Sequence, residues 1–528
     1  MNLLLDPIIR VRLPEQSSTA SLPELLALLG ADRVHSLPGV QRHQADALHI
    51  FLCYLAAAVL DREGETTPVQ NADFWLHGIR KLTQADGCAD DSAWTLVIDD
   101  PTRPAFLQPP TSSKAVYARD YAPKASSPDA LDVLQTAKNH DLKARRGTPQ
   151  DLEAWTFSLL SAQTLSGLLG KGSGGGMNRG ISRMNSGYGS RPRVGWIPSF
   201  RLGAQFARDV SLLLQKRNEF LASPHRYQAA GRVLLWLRPW DGNRSYPLAE
   251  LDPFFIEIAR RYRLCRRTGP GATSIHAVAA GSAVSFIAAE QLKGNLGDPW
   301  IPINPKTGGA LTVPASGLTP DLLRNLVFAR DGFLPAAMQD VSTAKAAGWL
   351  CAATLVRGQG TTDGFHEAAV RLPARVLPLF FGQGPALDRL ANLSKAGLEM
   401  AALIQYKALQ PALFALLEGG PKSINIDKKE IRQWVAEAAM PFFNGWSPHY
   451  FDWLWTTPDQ SDDALALRPW FEALRTLATR TLERAFARVP LRRGRTYRAT
   501  THARALFFGS LNKHFKGYIE EKTNHEPT

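Results

Sequence analysis

Residues 167–189 of this chain read GLLGKGSGGGMNRGISRMNSGYG, and nine of these 23 residues are glycine. The tract lies inside a longer run, residues 154–208, that holds seven basic residues and no aspartate or glutamate. Glycine has no Cβ, so its backbone can approach a ligand closely and adopt positive φ angles. A glycine-rich backbone without nearby carboxylates is suited to lying against a polyanion, and nucleic acid is the first candidate.

The composition of the 528-residue chain is that of a soluble globular protein larger than one ordinary domain. Its formal charge of +13 and isoelectric point of about 9.6 favour an anionic partner. The four cysteines are isolated, which argues against a zinc site and a disulfide framework. The longest apolar run, residues 50–60, is shorter than the about 20 residues that a membrane-spanning helix needs. With no signal peptide in the N-terminal sequence, we expect a cytoplasmic protein without a membrane partner.

Residues 1–375 predict a mixed α/β domain. A helix is expected over residues 45–60, and strands are expected at 93–98 and 350–356. Residues 104–144 are rich in proline, serine, alanine and charge, and they predict mostly loop.

Residues 386–520 predict a C-terminal four-helix bundle, so the expected fold class is α+β: a mixed α/β N-terminal domain followed by this bundle. Apolar residues from Leu387 to Ala402 recur at helical spacing. Glycine- or proline-containing links then separate three more helical runs. From Phe471 to Lys516, eleven lysines or arginines stand against two acids. This basic surface is either a solvated face or a phosphate-contacting one.

Nucleotide-binding motifs do not account for the glycine tract. A phosphate-binding P-loop needs G-x-x-x-x-G-K-[ST], but Gly172 follows Lys171 and the opening position holds Leu165. A G-x-G-x-x-G string does run through Gly170 and Gly175, yet no clear strand precedes it. No acid follows at the roughly 20-residue distance that dinucleotide binding requires.

No catalytic, metal-ligating or cofactor-binding constellation appears in the sequence. The twelve histidines are scattered, and His43 and His49 are interpreted as ordinary surface or core residues. We therefore expect no enzyme, no metal and no cofactor. Because triads assemble across distance, one alternative stays open: a stand-alone enzyme that binds an anionic, nucleotide-like substrate through the glycine tract.

Two further loops are suited to contacting nucleic acid. Residues 357–364, RGQGTTDG, follow a β-like run. They form either a polar hairpin turn or a loop that enters a groove and parts a base pair. Residues 138–147, KNHDLKARRG, are basic and lie shortly before the glycine tract. They are either a solvated loop or a contact to phosphate.

These three loops, in this order and ahead of a helical bundle, resemble the large subunit of the type I-E CRISPR Cascade complex, the CasA family. The opening residues 4–11, LLDPIIRV, are similar to the family's N-terminal strand L-x-D-x-W-I-P-V, with Ile8 and Arg10 in place of Trp and Pro. Three more stretches resemble the family's P-F-M-Q, G-F-G-G-G-F-x-x-G and L-F-W-x-P segments: PAFLQ at 104–108, GSGGGMNRG at 172–180 and LLWLRP at 234–239.

The resemblance implies a non-catalytic subunit that recognises a protospacer-adjacent motif in duplex DNA, largely from the minor groove, and starts strand separation for R-loop formation. The implied partners are the other Cascade subunits, a CRISPR guide RNA, double-stranded target DNA and a recruited helicase-nuclease. A large subunit of a different type I subtype remains an alternative.

Three groups of residues are the candidate site. The duplex-reading group is Gly174, Gly175, Gly176, Asn178, Arg179, Lys143, Arg145 and Arg146. The strand-separating wedge is Gln359, Thr361, Thr362 and Asp363. The group expected to contact the DNA backbone is Arg492, Arg493 and Arg495. In the family, a glutamine stands at the wedge tip. The matching position here falls near Asp363, whose carboxylate is unfavourable beside phosphates, so Gln359, Thr361 or Thr362 is expected to take that role.

Overall fold

The computed structural model describes residues 1–134, 147–165, 191–269, 272–328, 332–357, 362–381, 384–418, 428–489 and 493–520. The chain divides into two compact units. The first consists of residues 1–319 and 325–370, and the second of residues 320–324 and 371–528. Helices and several small sheets form the first unit, and helices form the second, which confirms the expected α+β class.

The first unit combines helices with four small sheets in its described residues. The helices are α1 (Leu22–Gly30), α2 (Arg42–Glu63), α3 (Ala72–Ala85), α4 (Lys114–Asp120), α5 (Pro128–Leu131), α6 (Leu152–Thr164), α7 (Leu202–Gln215) and α8 (Arg217–Leu221). Helix α9 (Pro320–Phe328) follows them, and its residues 320–324 belong to the second unit. The strands are β1 (Ile9–Arg12), β2 (Ser17–Ala20), β3 (Ala122–Ala125), β4 (Arg193–Ile197), β5 (Arg232–Leu234), β6 (Leu251–Ile256), β7 (Arg261–Gly269), β8 (Ala272–Ala280), β9 (Gly348–Arg357) and β10 (Thr362–Leu372). The sheet orders are β1–β2, β10–β9–β4, β3–β8–β7 and β5–β6.

Helix α2 lies at the centre of the first unit, where it packs against α3, α6, α7 and β6. It begins where the backbone N–H of Gln41 donates to the Gln44 side chain at 3.0 Å, and it ends at Gly64, whose φ is +72°. Between Ala47 and Leu60, every residue except His49 is buried. By length and composition, α2 and residues 385–417 are the described helices that could cross a membrane. Since 89% of the apolar window of α2 is buried, core packing accounts for its composition.

One sequence-based expectation for the first unit is wrong. Residues 93–98 form no strand beyond a single bridge at Thr95, because the run instead supplies Trp94 to the core. Its ring lies 5.4 Å from that of Trp236. In the described part of residues 104–144, just over half of the residues lie outside helices and strands, and the others form α4, β3 and α5. Ser113 and Ser127 are the N-caps of α4 and α5.

The second unit is helical in its described residues, and its long helices form the expected C-terminal bundle. Helix α12 (Gln410–Glu418) packs against α16 (Arg493–His514), and α15 (Asp463–Arg488) packs against both α11 (Pro385–Leu403) and α13 (Lys429–Trp446). A π-helical turn, Ile404–Leu409, joins α11 to α12. A Cβ on Gly397 would lie 2.5 Å from the Trp453 ring, which stacks on Trp470 at 4.8 Å, so this glycine lets α11 approach the tryptophan pair. The helices are α10 (Leu377–Phe381), α11 (Pro385–Leu403), α12 (Gln410–Glu418), α13 (Lys429–Trp446), α14 (Tyr450–Leu454), α15 (Asp463–Arg488), α16 (Arg493–His514) and α17 (Lys516–Glu520).

Candidate nucleic-acid interface

Most of the predicted site residues lie outside the described parts of the chain. Of the whole set, only the backbone of four residues is described: Thr362 and Asp363 begin β10, and Arg493 and Arg495 lie in the first turn of α16. What the structure does define is the chain on either side of each predicted loop in the first unit. The residues outside the described parts are Lys143, Arg145, Arg146, Gly174, Gly175, Gly176, Asn178, Arg179, Gln359, Thr361 and Arg492.

The glycine tract and the predicted wedge join the same sheet at the same end. Strand β4 follows the glycine tract and is antiparallel to β9, with Arg193 opposite Ala353 and Ile197 opposite Trp349. The beginning of β4 therefore points toward the C-terminal end of β9. The wedge segment leaves from that end of β9, after Arg357, and the chain returns in β10.

The basic loop begins beside the helix that leads into the glycine tract. Asp132, which is 4% exposed, accepts a hydrogen bond from Ser161 in the last turn of α6 at 3.1 Å. It also pairs with His43 Nε2 at 2.5 Å and accepts from Gln44 Nε2 at 2.6 Å, both in the first turn of α2. Burial raises the pKa of Asp132, but the hydrogen bonds, above all that from His43, outweigh it and hold the pKa below its usual value. The Asp132 carboxylate therefore links the chain just before the basic loop, and the end of α6 just before the glycine tract, to the first turn of α2.

Two more side chains near the start of α2 hold the sheet. Arg42 donates to Glu367 of β10 at 2.6 Å, and its guanidinium lies 6.0 Å from the centre of the Phe365 ring. One turn further along α2, Asp46 accepts from Arg193 at 2.9 Å, where β4 begins. The first two turns of α2 therefore contact the chain next to all three predicted loops.

A cluster of His49, Cys53 and Asp209 lies deeper along α2, and it has the residue types of a metal site. Its potential ligand atoms all lie within 4.8 Å of one another. Burial raises the pKa of the Cys53 thiol well above its usual value, so the sulfur stays protonated. Arg193 and Arg208 already neutralise the Asp209 carboxylate at 3.7 and 2.9 Å. A protonated thiol and a carboxylate paired with arginine disfavour a divalent cation, so we interpret the cluster as a structural hydrogen-bond network.

The last two long helices of the second unit present basic side chains to solvent. Glu483, an acid in this region, lies 3.9 Å from Arg504, and both side chains are 57% exposed. The basic surface predicted from the sequence is therefore exposed in its described part. Its members include Arg480, Arg484, Arg488, Arg498, Arg504, Lys513 and Lys516.

Comparison with known proteins identifies the fold. No protein-family model and no curated protein matches the chain, but several solved structures superpose along nearly its whole length. Thermobifida fusca Cse1 gives a TM-score of 0.63 at 14% identity, covering 98% of this chain and 99% of that chain. CRISPR-associated protein Cse1 from Acidimicrobium ferrooxidans gives 0.62 at 15% identity, with the same coverage. Thermus thermophilus CasA (Cse1) gives 0.60 at 14% identity, covering 97% of this chain and 99% of that chain.

The chain has the CasA (Cse1) fold. The fold expected from the sequence resemblance is confirmed, although the identities are low. The sequence did not predict the charged contacts next to the loops, which are made by Asp132, Asp46 and Arg193. Their only signal in the sequence is a polar residue within or beside an apolar run, and their partners are distant in the chain.

Proposed function

We propose that this chain is the large subunit of a type I-E Cascade complex of the CasA family. In that role it recognises the protospacer-adjacent motif in duplex DNA, starts strand separation for R-loop formation and helps recruit the helicase-nuclease. Its partners are the other Cascade subunits, the guide RNA and the target duplex. The subunit itself carries out no reaction, and it works in the cytoplasm without a membrane partner.

The observation that carries this proposal is the convergence of the three loop ends on α2. Asp132, Arg193 and Glu367 lie next to the basic loop, the glycine tract and the wedge segment, and each contacts the first two turns of one helix. A duplex reader needs its contacts held in a fixed relation, because a groove reader and a strand-separating element must engage adjacent base pairs. The nearly full-length likeness to the CasA fold supports the same assignment.

The chemistry of the glycine tract and of the wedge segment indicates a different role for each. Gly174, Gly175 and Gly176 offer backbone that can lie close to the minor groove, where the pattern of donors and acceptors is degenerate. Gln359, Thr361 and Thr362 carry polar side chains on a short loop that can enter the stack and part the first base pair. The guide RNA then pairs with the freed strand in a nearly balanced exchange.

The basic side chains offset the cost of opening the duplex. In the sequence, Asn178 and Arg179 follow the three glycines, and the basic loop with its lysine and arginines precedes them. Unstacking costs a few kcal/mol per step, and phosphate contacts along both strands can supply that energy. The contributing residues are Lys143, Arg145 and Arg146 in the basic loop, together with Arg492, Arg493 and Arg495 in the second unit.

The test is binding of the target duplex by the assembled, guide-loaded complex. The double variant Gly175→Asp with Gly176→Asp puts two carboxylates against the DNA, and it should abolish duplex binding while the complex still assembles. The matched control is Thr66→Asp with Thr67→Asp, two exposed positions of the first unit, which should bind like the wild type. Unchanged duplex affinity in the glycine variant would sink the assignment of this tract.

The same preparation separates the Cascade subunit from the enzyme alternative. A Cascade subunit should co-purify with companion subunits and guide RNA, and it should bind DNA weakly alone. Nucleotide binding or substrate turnover by the isolated chain would instead support the stand-alone enzyme.

A further inference from the structure

An open cavity of about 370 Å³ is lined by residues of α2, α7 and the sheet β10–β9–β4. This volume falls within the roughly 300–1,000 Å³ of small-molecule sites. The cavity is also lined by the residues that link α2 to strands β10 and β4, namely Arg42, Asp46 and Arg193. The cavity and the ends of the predicted loops therefore share residues.

The cavity combines aromatic surface with a narrow polar edge. Phe200 is 58% exposed, and its ring lies 5.0 Å from that of Trp349. Trp196, which also lines the cavity, is 5% exposed. An exposed aromatic ring beside charged side chains suits a planar ligand with a polar edge. Small residues of the three strands leave the space open: Gly195, Ala352, Ala353, Ala368 and Ala369.

Three carboxylates and two arginines line the cavity. Asp46 pairs with Arg193, and Glu367 pairs with Arg42. Asp209 adds a further carboxylate to the lining. A phosphate inside the cavity would meet carboxylates as well as guanidinium groups and gain little. A neutral heterocycle that both donates and accepts hydrogen bonds is better matched.

We propose that this cavity binds one unpaired nucleobase that has left its stack beside the protospacer-adjacent motif. The proposal rests on the proposed function, because strand separation by the wedge segment creates the unpaired bases. Extruding a base costs a few kcal/mol, and a pocket that stacks and hydrogen-bonds the base offsets that cost. The base comes either from the target DNA or from the guide RNA, and the chemistry of the pocket is the same for both.

The blocking variant is Ala369→Trp. Ala369 is exposed in β10 and lines the cavity, so an indole there would fill its mouth with little effect on the core. The control is Ala122→Trp, an exposed position in strand β3 of another sheet. Guide-loaded complexes are bound to duplexes that carry thymine at each position beside the motif. Permanganate reactivity of these thymines and the dissociation constant of the complex are then measured.

The wild type should leave one unpaired thymine protected while its unpaired neighbours react. Ala369→Trp should expose that thymine and weaken binding about tenfold, the order expected when one base no longer stacks on an aromatic ring. The control should match the wild type. Phe200→Ala removes an exposed ring and should act in the same direction, which keeps the proposal testable if Ala369→Trp does not fold.

Abasic nucleotides identify the source of the base. An abasic site at the protected DNA position should weaken the wild type by the same factor and leave Ala369→Trp unchanged. If only an abasic site in the guide RNA weakens binding by the wild type and leaves Ala369→Trp unchanged, the bound base comes from the RNA. Equal reactivity of all opened thymines, with no abasic effect, would overturn the cavity proposal. If no thymine opens in the wild-type complex, the proposed function itself fails.

Discussion

The first unit buries the charged pair of His43 and Asp132 that joins α2 to the start of the basic loop, whereas the basic helices of the second unit expose their charges. The side chains of His43 and Asp132 are each 4% exposed, and their atoms approach to 2.5 Å. Glu483 and Arg504 in the second unit are 57% exposed and lie 3.9 Å apart. Buried pairs are costly to break and fix geometry, while exposed pairs contribute little to stability and stay free to meet a partner. The first pattern suits the positioning of loops, and the second suits contact with phosphates.

The largest effect is expected from Asp132→Ala. The change leaves buried donors on His43, Gln44 and Ser161 without their acceptor, so the free energy of unfolding should fall by about 3 kcal/mol. Urea denaturation measures this loss. Glu15→Ala, in an exposed pair with Arg33 at 3.6 Å, is the control and should cost less than about 0.5 kcal/mol. Equal costs in the two variants would remove the contrast between buried and exposed charges.

The second unit should depend on its aromatic core rather than on its basic surface. Gly397→Leu forces a side chain into the Trp453 ring and should destabilise the protein by about 2 kcal/mol through overpacking. Gly509→Leu places the same side chain in open space on α16 and should be neutral or slightly stabilising. Thermal unfolding compares the two. A stable Gly397→Leu variant would show that α11 need not lie close to Trp453.

Removing exposed arginines should change binding and leave stability nearly intact. Arg484→Ala with Arg488→Ala should alter the free energy of unfolding by less than about 0.5 kcal/mol per site. In the guide-loaded complex, the slope of log affinity against log salt should fall by about 1 for each arginine that contacts a phosphate in the wild type. Arg33→Ala, at an arginine of the first unit that is 51% exposed, should keep the wild-type slope. An unchanged slope in the double variant would mean that this face is only solvated.

The smallest expected effect is a pH dependence of stability that comes from His49 of α2, which is hydrogen-bonded to Asp209. Burial, together with Arg193, lowers the pKa of His49 below 6.5. The unfolded chain therefore takes up a proton first as the pH falls, and the stability present above pH 6.5 declines below it. His49→Gln keeps a hydrogen-bond donor for Asp209 but does not titrate there, so it should flatten urea stability between pH 6.5 and about pH 5. The same decline in both proteins would contradict this role for His49.

Periodicity predicted the parts of the fold that depend on local pattern. The apolar run at 45–60 lies in α2, and the β-like run at 350–356 lies in β9. The apolar residues that recur at helical spacing after residue 386 lie in the helices of the C-terminal bundle. The error at Trp94 has a tertiary cause, because an apolar run fills a core equally well without a strand ladder. The sequence could not reveal that Asp132 and Arg193 contact the start of α2. Asp132 lies 89 positions from its partner His43, and Arg193 lies 147 positions from its partner Asp46.

The most direct test compares closed target duplexes with duplexes that are mismatched at the first base pair beside the motif. The dissociation constants of guide-loaded complexes are measured for both substrates. Gly175→Asp with Gly176→Asp should weaken both about equally, because the groove contact precedes opening. Gln359→Ala with Thr361→Ala should weaken binding of the closed duplex only, and the mismatch should restore wild-type affinity. If the mismatch rescues the glycine variant, or fails to rescue the wedge variant, the proposed division between a groove reader and a strand-separating wedge is wrong.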